Sequence, residues 1–143
     1  MPSTAEAFDP AGTAAHLPVN VGEEPWVVGE VEAVYRSLRG DLERLRGEVA
    51  EATADLDDLL DDPGGAGDDQ ADTGSRALER EQALTMVNTL RDMIVHTELA
   101  LGRLIGGTFG ACESCGEPIG KARAQAFPRA VLCVACKQRE ERR

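Results

Sequence analysis

Two stretches of helical period, separated by a segment that cannot be helix, restrict what this chain can fold into. From Trp26 onward, Val27, Val31, Val34, Leu38, Leu42, Leu45, Val49, Ala52, Leu56 and Leu59 recur at steps of three and four. That is a heptad seam with one extra residue between Leu38 and Leu42. Pro25 suits the first helical position, where its missing N–H costs nothing. Gly40 and Gly47 lie off the seam and each weaken the helix by about 1 kcal/mol relative to alanine. The period stops at Asp61-Asp62-Pro63-Gly64-Gly65-Ala66-Gly67, where proline, glycines and repelling aspartates forbid helix. A second seam starts near Ser75, a suitable N-cap. It runs through Leu84, Val87, Leu90, Ile94, Leu101 and Leu104 to a glycine stop at Gly106-Gly107. The predicted helices have about 34 and about 31 residues, so they are roughly 51 and 47 Å long.

Two near-equal amphipathic helices joined by a short connection are expected to fold back as an antiparallel coiled-coil hairpin. A second chain could bury the same stripes, but the connection keeps the intramolecular partner at higher effective concentration, which favours a monomer. Aromatic residues make up only 3% of the 143 residues, which argues against a thick sandwich or α/β core. The fold class is therefore mainly α. Residues 1–23, with scattered Pro, Gly and Ala and no period, read as a disordered tail. Residues 24–106 form the hairpin with its tip at 61–74, and residues 107–143 form a small base ending in a short helix.

Charge narrows the function classes. The net charge is −11, which argues against DNA binding through a globally basic surface. From Gly47 to Gly74 there are ten acids and no Lys or Arg, whereas from Gly107 onward seven bases face four acids. The hairpin places that acidic run at its tip, away from the base. No apolar run approaches the roughly 18 residues that span a bilayer, and the N-terminus shows no export signal, so the expected location is the cytoplasm.

All four cysteines lie in one segment, as Cys112-Glu-Ser-Cys115 and Cys133-Val-Ala-Cys136. Two thiolates two residues apart grip one ion from a tight turn, and two such turns complete a tetrahedron. Zinc fits this pattern; spacing alone also admits iron in a rubredoxin-like site. Four thiolates fill the coordination sphere, leaving no position for an activated water, so the metal is structural. Lys121, Arg123, Arg129 and Lys137 can offset the site's formal negative charge. His16 in the tail and His96 in the second helix form no nucleophile–base constellation, and no phosphate-binding glycine motif is present. The chain reads as a non-enzyme.

The stretch Gly107-Thr-Phe-Gly-Ala-Cys112-Glu-Ser-Cys115-Gly-Glu-Pro-Ile-Gly-Lys121, followed by Arg123, Ala126, Pro128, Leu132 and Cys133-Val-Ala-Cys136, resembles the DksA/TraR C4-type zinc finger. Asp68-Asp69-Gln-Ala-Asp72-Thr-Gly-Ser with Glu79-Arg80-Glu81 resembles the start of the second hairpin helix in Gram-positive and actinobacterial members. The resemblance covers roughly residues 24–143. It implies a coiled-coil hairpin on a zinc-containing base, with Zn2+ on Cys112, Cys115, Cys133 and Cys136. It also implies a transcription regulator that binds RNA polymerase rather than DNA, its hairpin entering the secondary channel so that acidic tip residues act near the catalytic magnesium. The family's tip pattern is Asp-x-x-Asp-x-Ala; Asp69 and Asp72 match its aspartates, and Gly74 stands in place of the alanine. The alternative, from another class, is a zinc-stabilised coiled-coil adaptor for a different protein.

Overall fold

The computed structural model describes residues 8–61 and 70–143. Its regular structure is helical: α1 Pro10–His16, α2 Val28–Asp61, α3 Gln70–Gly106, α4 Lys121–Ala126 and α5 Val134–Glu141. No strand forms among the described residues, only an isolated antiparallel bridge between Ala111 and Pro118. The chain divides into two compact units, Met1–Gly40 with His96–Arg143, and Asp41–Val95. In each, an early part of one long helix meets a late part of the other, which is the order an antiparallel pair requires.

In the unit Asp41–Val95 the seam is narrow and aliphatic. Leu42, Leu45 and Leu56 from α2 and Val87 and Leu90 from α3 are buried, while Val49, Ala52 and Leu59 are half-buried. Leu84, expected on the seam, is 49% exposed. The stripe passes instead through half-buried Ala83, four residues before Val87 and in step with the helical period, so Leu84 falls one position off it.

In the unit of Met1–Gly40 and His96–Arg143, Val31, Val34 and Leu38 are buried with Thr97, Ala100, Leu101 and Leu104. Thr97 occupies the seam position between Leu90 and Leu104, which a purely apolar pattern passes over. Helix α3 ends as its glycines demand. Gly107 takes φ 81°, Thr108 N–H reaches Arg103 O at 2.9 Å, and Gly107 N–H reaches Leu104 O at 3.4 Å. These are the two bonds of a Schellman stop.

The ends of the long helices depart from expectation in two places. Helix α2 begins at Val28, so Pro25 is not its first residue. Val27 O accepts from Glu30 and Val31, and Glu30 Oε1 accepts from Val27 N–H at 3.0 Å, a reciprocal cap that fixes the start. Helix α3 begins at Gln70 and has 37 residues, placing Ser75 inside the helix. Residues 71–75 are exposed and give no period to read, and Asp72 in the first turn suits the positive helix end. The Pro63–Gly67 break and Asp69 lie outside the described residues.

The expected disordered tail is the main correction. From Phe8 onward the N-terminal segment is folded onto the base; residues 1–7 of that expected tail lie outside the described residues. Ala14 and Leu17 are buried, as is Trp26. Phe8 stacks on Tyr35 with ring centroids 4.5 Å apart, and Trp26 meets Phe109 edge-on at 5.9 Å. The Trp26 indole N–H donates to Pro18 O at 3.1 Å. A seven-residue helix such as α1 is not stable alone; it forms because these apolar groups find a surface.

Polar contacts then clip this segment to α4. The Glu23 carboxylate accepts from the backbone N–H groups of Asn20 at 2.8 Å, Lys121 at 2.9 Å and Ala122 at 3.2 Å. Lys121 Nζ pairs with Glu30 at 2.7 Å and lies within hydrogen-bond reach of the Glu24 and Pro25 carbonyls. The segment runs so close that a Cβ at Gly120 would come within 2.8 Å of Asn20 Nδ2. The N–H of Lys121, with those of Asn20 and Ala122, holds the Glu23 carboxyl below the usual glutamate range. Because the folded value is depressed, the stabilisation is present above the unfolded glutamate value and is lost as pH falls through the folded one. Glu23→Gln is therefore expected to lower the midpoint of thermal unfolding at pH 7. The difference from the parent should shrink as pH drops below about 4, measured by circular dichroism.

Candidate metal centre

Two knuckles build the cysteine site. The first is a tight reversal: Gly116 N–H bonds Cys112 O at 2.9 Å, and Cys112 N–H bonds Glu117 O at 2.9 Å. Gly116 takes φ 77°, a left-handed conformation that glycine adopts without steric cost. Ile119 N–H returns to Gly110 O at 2.8 Å, closing a small hairpin around the Ala111–Pro118 bridge. The second knuckle is the start of α5. Cys133 is its N-cap, and its Sγ accepts from Cys136 N–H at 3.4 Å. Glu113 N–H to Val131 O at 2.9 Å ties the knuckles together, and Arg103 from the end of α3 reaches Glu113 at 3.5 Å.

This folding brings Cys112, Cys115, Cys133 and Cys136 to one point, all four Sγ atoms within 4.8 Å of one another. A tetrahedral zinc with bonds of about 2.3 Å sets neighbouring sulfurs about 3.8 Å apart. Cys115 Sγ and Cys133 Sγ are separated by 3.8 Å, so this edge of the sulfur cage has the length of a zinc tetrahedron's edge. Cys112 and Cys136 are buried and pack with Ile119, Leu132 and Cys133. The small apolar cluster thus grows directly on the ligands, and a segment with so little core depends on its ion.

The electrostatics of the thiols point the same way. Burial pushes the Cys112 thiol up, but the N–H groups of Cys133, Cys115 and Ser114 outweigh it and bring the group to about 6. For Cys115 the Glu117 N–H pulls down, yet burial and the neighbouring sulfurs drive the thiol up to about 12. Cys136 is raised chiefly by Cys133. A cage of this kind resists carrying several thiolates by itself and calls for a cation to hold them. Of the cations expected to offset the charge, Lys121 is turned to Glu30, and the Arg123 guanidinium lies over the Phe127 ring at 5.7 Å. His16 and His96 are exposed and are not among the clustered metal-binding groups. The N-terminal clip of Glu23 and Glu30 onto α4 was not visible in the sequence, because its partners lie nearly a hundred residues apart.

Fold and site together define a small zinc-finger protein built on a pair of long helices, with one structural Zn2+ as its cofactor. Residues 107–142 match the model of the prokaryotic dksA/traR C4-type zinc finger, so this segment is a finger of that type. It is 40% identical over 75 residues to the RNA polymerase-binding transcription factor DksA of Caulobacter vibrioides, covering 52% of this chain and 53% of that protein. It is 31% identical over 109 residues to the factor of the same name from Escherichia coli, covering 75% of this chain and 64% of that one. The matches thus span about half to just under two thirds of these relatives. Among solved structures, transcription factor DksA2 from Pseudomonas aeruginosa aligns with a TM-score of 0.66 at 28% identity, over 80% of this chain and 84% of the other.

Zinc analysis of the purified protein is expected to return one ion per chain. Chelation should unfold residues 107–142 before it affects the helicity of Asp41–Val95, read by hydrogen exchange. Cys115→Ser, which leaves three thiolates, should reproduce the chelated state without chelator.

Proposed function

We propose that this chain is an RNA polymerase-binding transcription regulator, not an enzyme, and that it acts in the cytoplasm. The observation that carries this reading is the likeness to DksA proteins over the helical pair as well as the finger: 80% of the chain aligns with DksA2. Cys112, Cys115, Cys133 and Cys136 hold the zinc that folds the base. The acidic connection between α2 and α3 enters the polymerase secondary channel, where Asp69 and Asp72 act near the catalytic magnesium; carboxylate oxygens are hard ligands suited to such surroundings. The chain works as a monomer and makes no sequence-specific contact with DNA. No helix among the described residues is long and apolar enough to cross a membrane.

Gly74, the third tip residue, lies inside α3, and a Cβ there meets nothing within 4 Å. Alanine therefore fits without displacement and should strengthen the local helix by about 1 kcal/mol. Gly74→Ala is expected to raise the regulatory effect in a purified transcription assay while leaving affinity for core polymerase nearly unchanged. Asp69→Asn combined with Asp72→Asn should abolish that effect with binding retained. An undiminished effect in the double variant would contradict the channel reading.

A further inference from the structure

Half of the zinc ligands, Cys112 and Cys115, sit in one small loop whose stems meet where Ile119 N–H bonds Gly110 O at 2.8 Å. The N-terminal segment touches both stems. At the first, Pro18 lies against Gly110: a Cβ there would stand 3.8 Å from Pro18 Cγ and 3.9 Å from Pro18 O. Phe109, one residue earlier, is buried and meets Trp26, whose indole N–H donates to that same Pro18 carbonyl. At the second stem Asn20 Nδ2 closes on Gly120, and Glu23 accepts from the next two amides, those of Lys121 and Ala122. Both stem glycines have positive φ, 87° at Gly110 and 109° at Gly120, so the chain passes there with no side chain in the way of the segment. Between its two contacts the segment is a closed turn. Glu23 N–H bonds Asn20 O at 3.0 Å, and Asn20 N–H bonds Glu23 Oε1 at 2.8 Å.

We infer that residues 18–26 form a strap that holds the zinc-bearing loop in its ligating shape, with Glu23 as the positioning residue that fastens it. A metal binds only the fraction of molecules whose ligands are already in place, so whatever raises that fraction raises the apparent affinity. The strap does so through the stems of the loop, without supplying a ligand. Such coupling is reciprocal: the docked strap tightens zinc binding, and zinc tightens docking of the strap by the same factor. Loss of the ion therefore releases the N-terminal segment, whatever partner the chain binds.

The test uses the full-length chain, with zinc affinity measured by competition against a chromogenic chelator. Glu23→Ala removes the acceptor of three N–H groups and is expected to weaken zinc binding about tenfold. Glu23→Gln keeps a neutral oxygen in place and should weaken it about threefold. Leu38→Val, ten residues beyond the start of α2, lowers thermal stability from the seam and should leave zinc affinity at the parental value. Circular dichroism at saturating zinc establishes that each variant is folded, and Glu23→Gln carries the comparison alone where Glu23→Ala is not. Trp26 is the one tryptophan of the chain and is 4% exposed, so its emission reports the strap. That emission should shift to the red as zinc is withdrawn, and at lower chelator concentration in the Glu23 variants than in the parent. Parental zinc affinity in the folded Glu23 variants, or an equal loss in Leu38→Val, would overturn the strap. Trp26 emission that stays unshifted once zinc is gone would overturn it too, since the segment would then dock without the metal.

Discussion

Burial of one aliphatic stripe along α2 and α3 is the constraint on which everything else depends. The chain has few aromatic residues with which to build a broad core. Its stability comes from leucines and valines such as Leu38, Leu42, Leu45, Val87 and Leu104, all nearly inaccessible and each contributing about 1.5–3 kcal/mol on burial. A stripe this narrow leaves most of both helices to solvent. That is why charge and exposed side chains can be distributed on them with so little regard for packing. Gly40, Gly47 and Gly74 are tolerated for the same reason: none lies on the seam, and a Cβ at any of them meets nothing within 4 Å.

The long helices and the cysteine cage were legible because each rests on a repeat. Steps of three and four residues reveal a buried face, and two CxxC pairs reveal a tetrahedral ion. What escaped was set by contacts without period. The stretch from Phe8 to Trp26 holds a seven-residue helix and loops, and its order derives from Phe8 on Tyr35, Trp26 on Phe109 and Glu23 on the amides of α4. Sequence patterning cannot register partners so far apart. Thr97 and Leu84 show the smaller version of this limit. A polar residue takes a seam position and a leucine leaves it, because geometry along the helix outranks residue type at any single site. The tip pattern, by contrast, came from family likeness and not from any period in the residues.

The base also explains how a finger with a minimal core is held in place. Its own apolar cluster is centred on Cys112, Ile119 and Cys136, so removing the ion removes the centre of that cluster. The N-terminal segment supplies a second attachment through Glu23, Glu30 and Lys121 at the start of α4, and Arg103 with Glu113 supplies a third at the end of α3. Metal and clip therefore act on different parts of the base: one fixes the knuckles to each other, the other fixes the segment between them through Lys121 and Ala122.

Charge is the remaining feature that packing does not demand. The unit Met1–Gly40 with His96–Arg143 is nearly neutral, with eleven acids against ten bases, while Asp41–Val95 carries almost the entire net charge. At physiological salt, screening reaches about 8 Å, so neighbouring carboxylates on one helix still repel. Arg44 pairs with Glu48 and Asp41, but such exposed pairs contribute little. The aliphatic seam must therefore hold this unit together against its own field. An excess of one sign that opposes folding and is confined to one unit is relieved only by something of opposite sign. In the function proposed above, a channel with a divalent ion meets that condition at the connection between the helices. The same charge that weakens the free chain therefore favours its bound state.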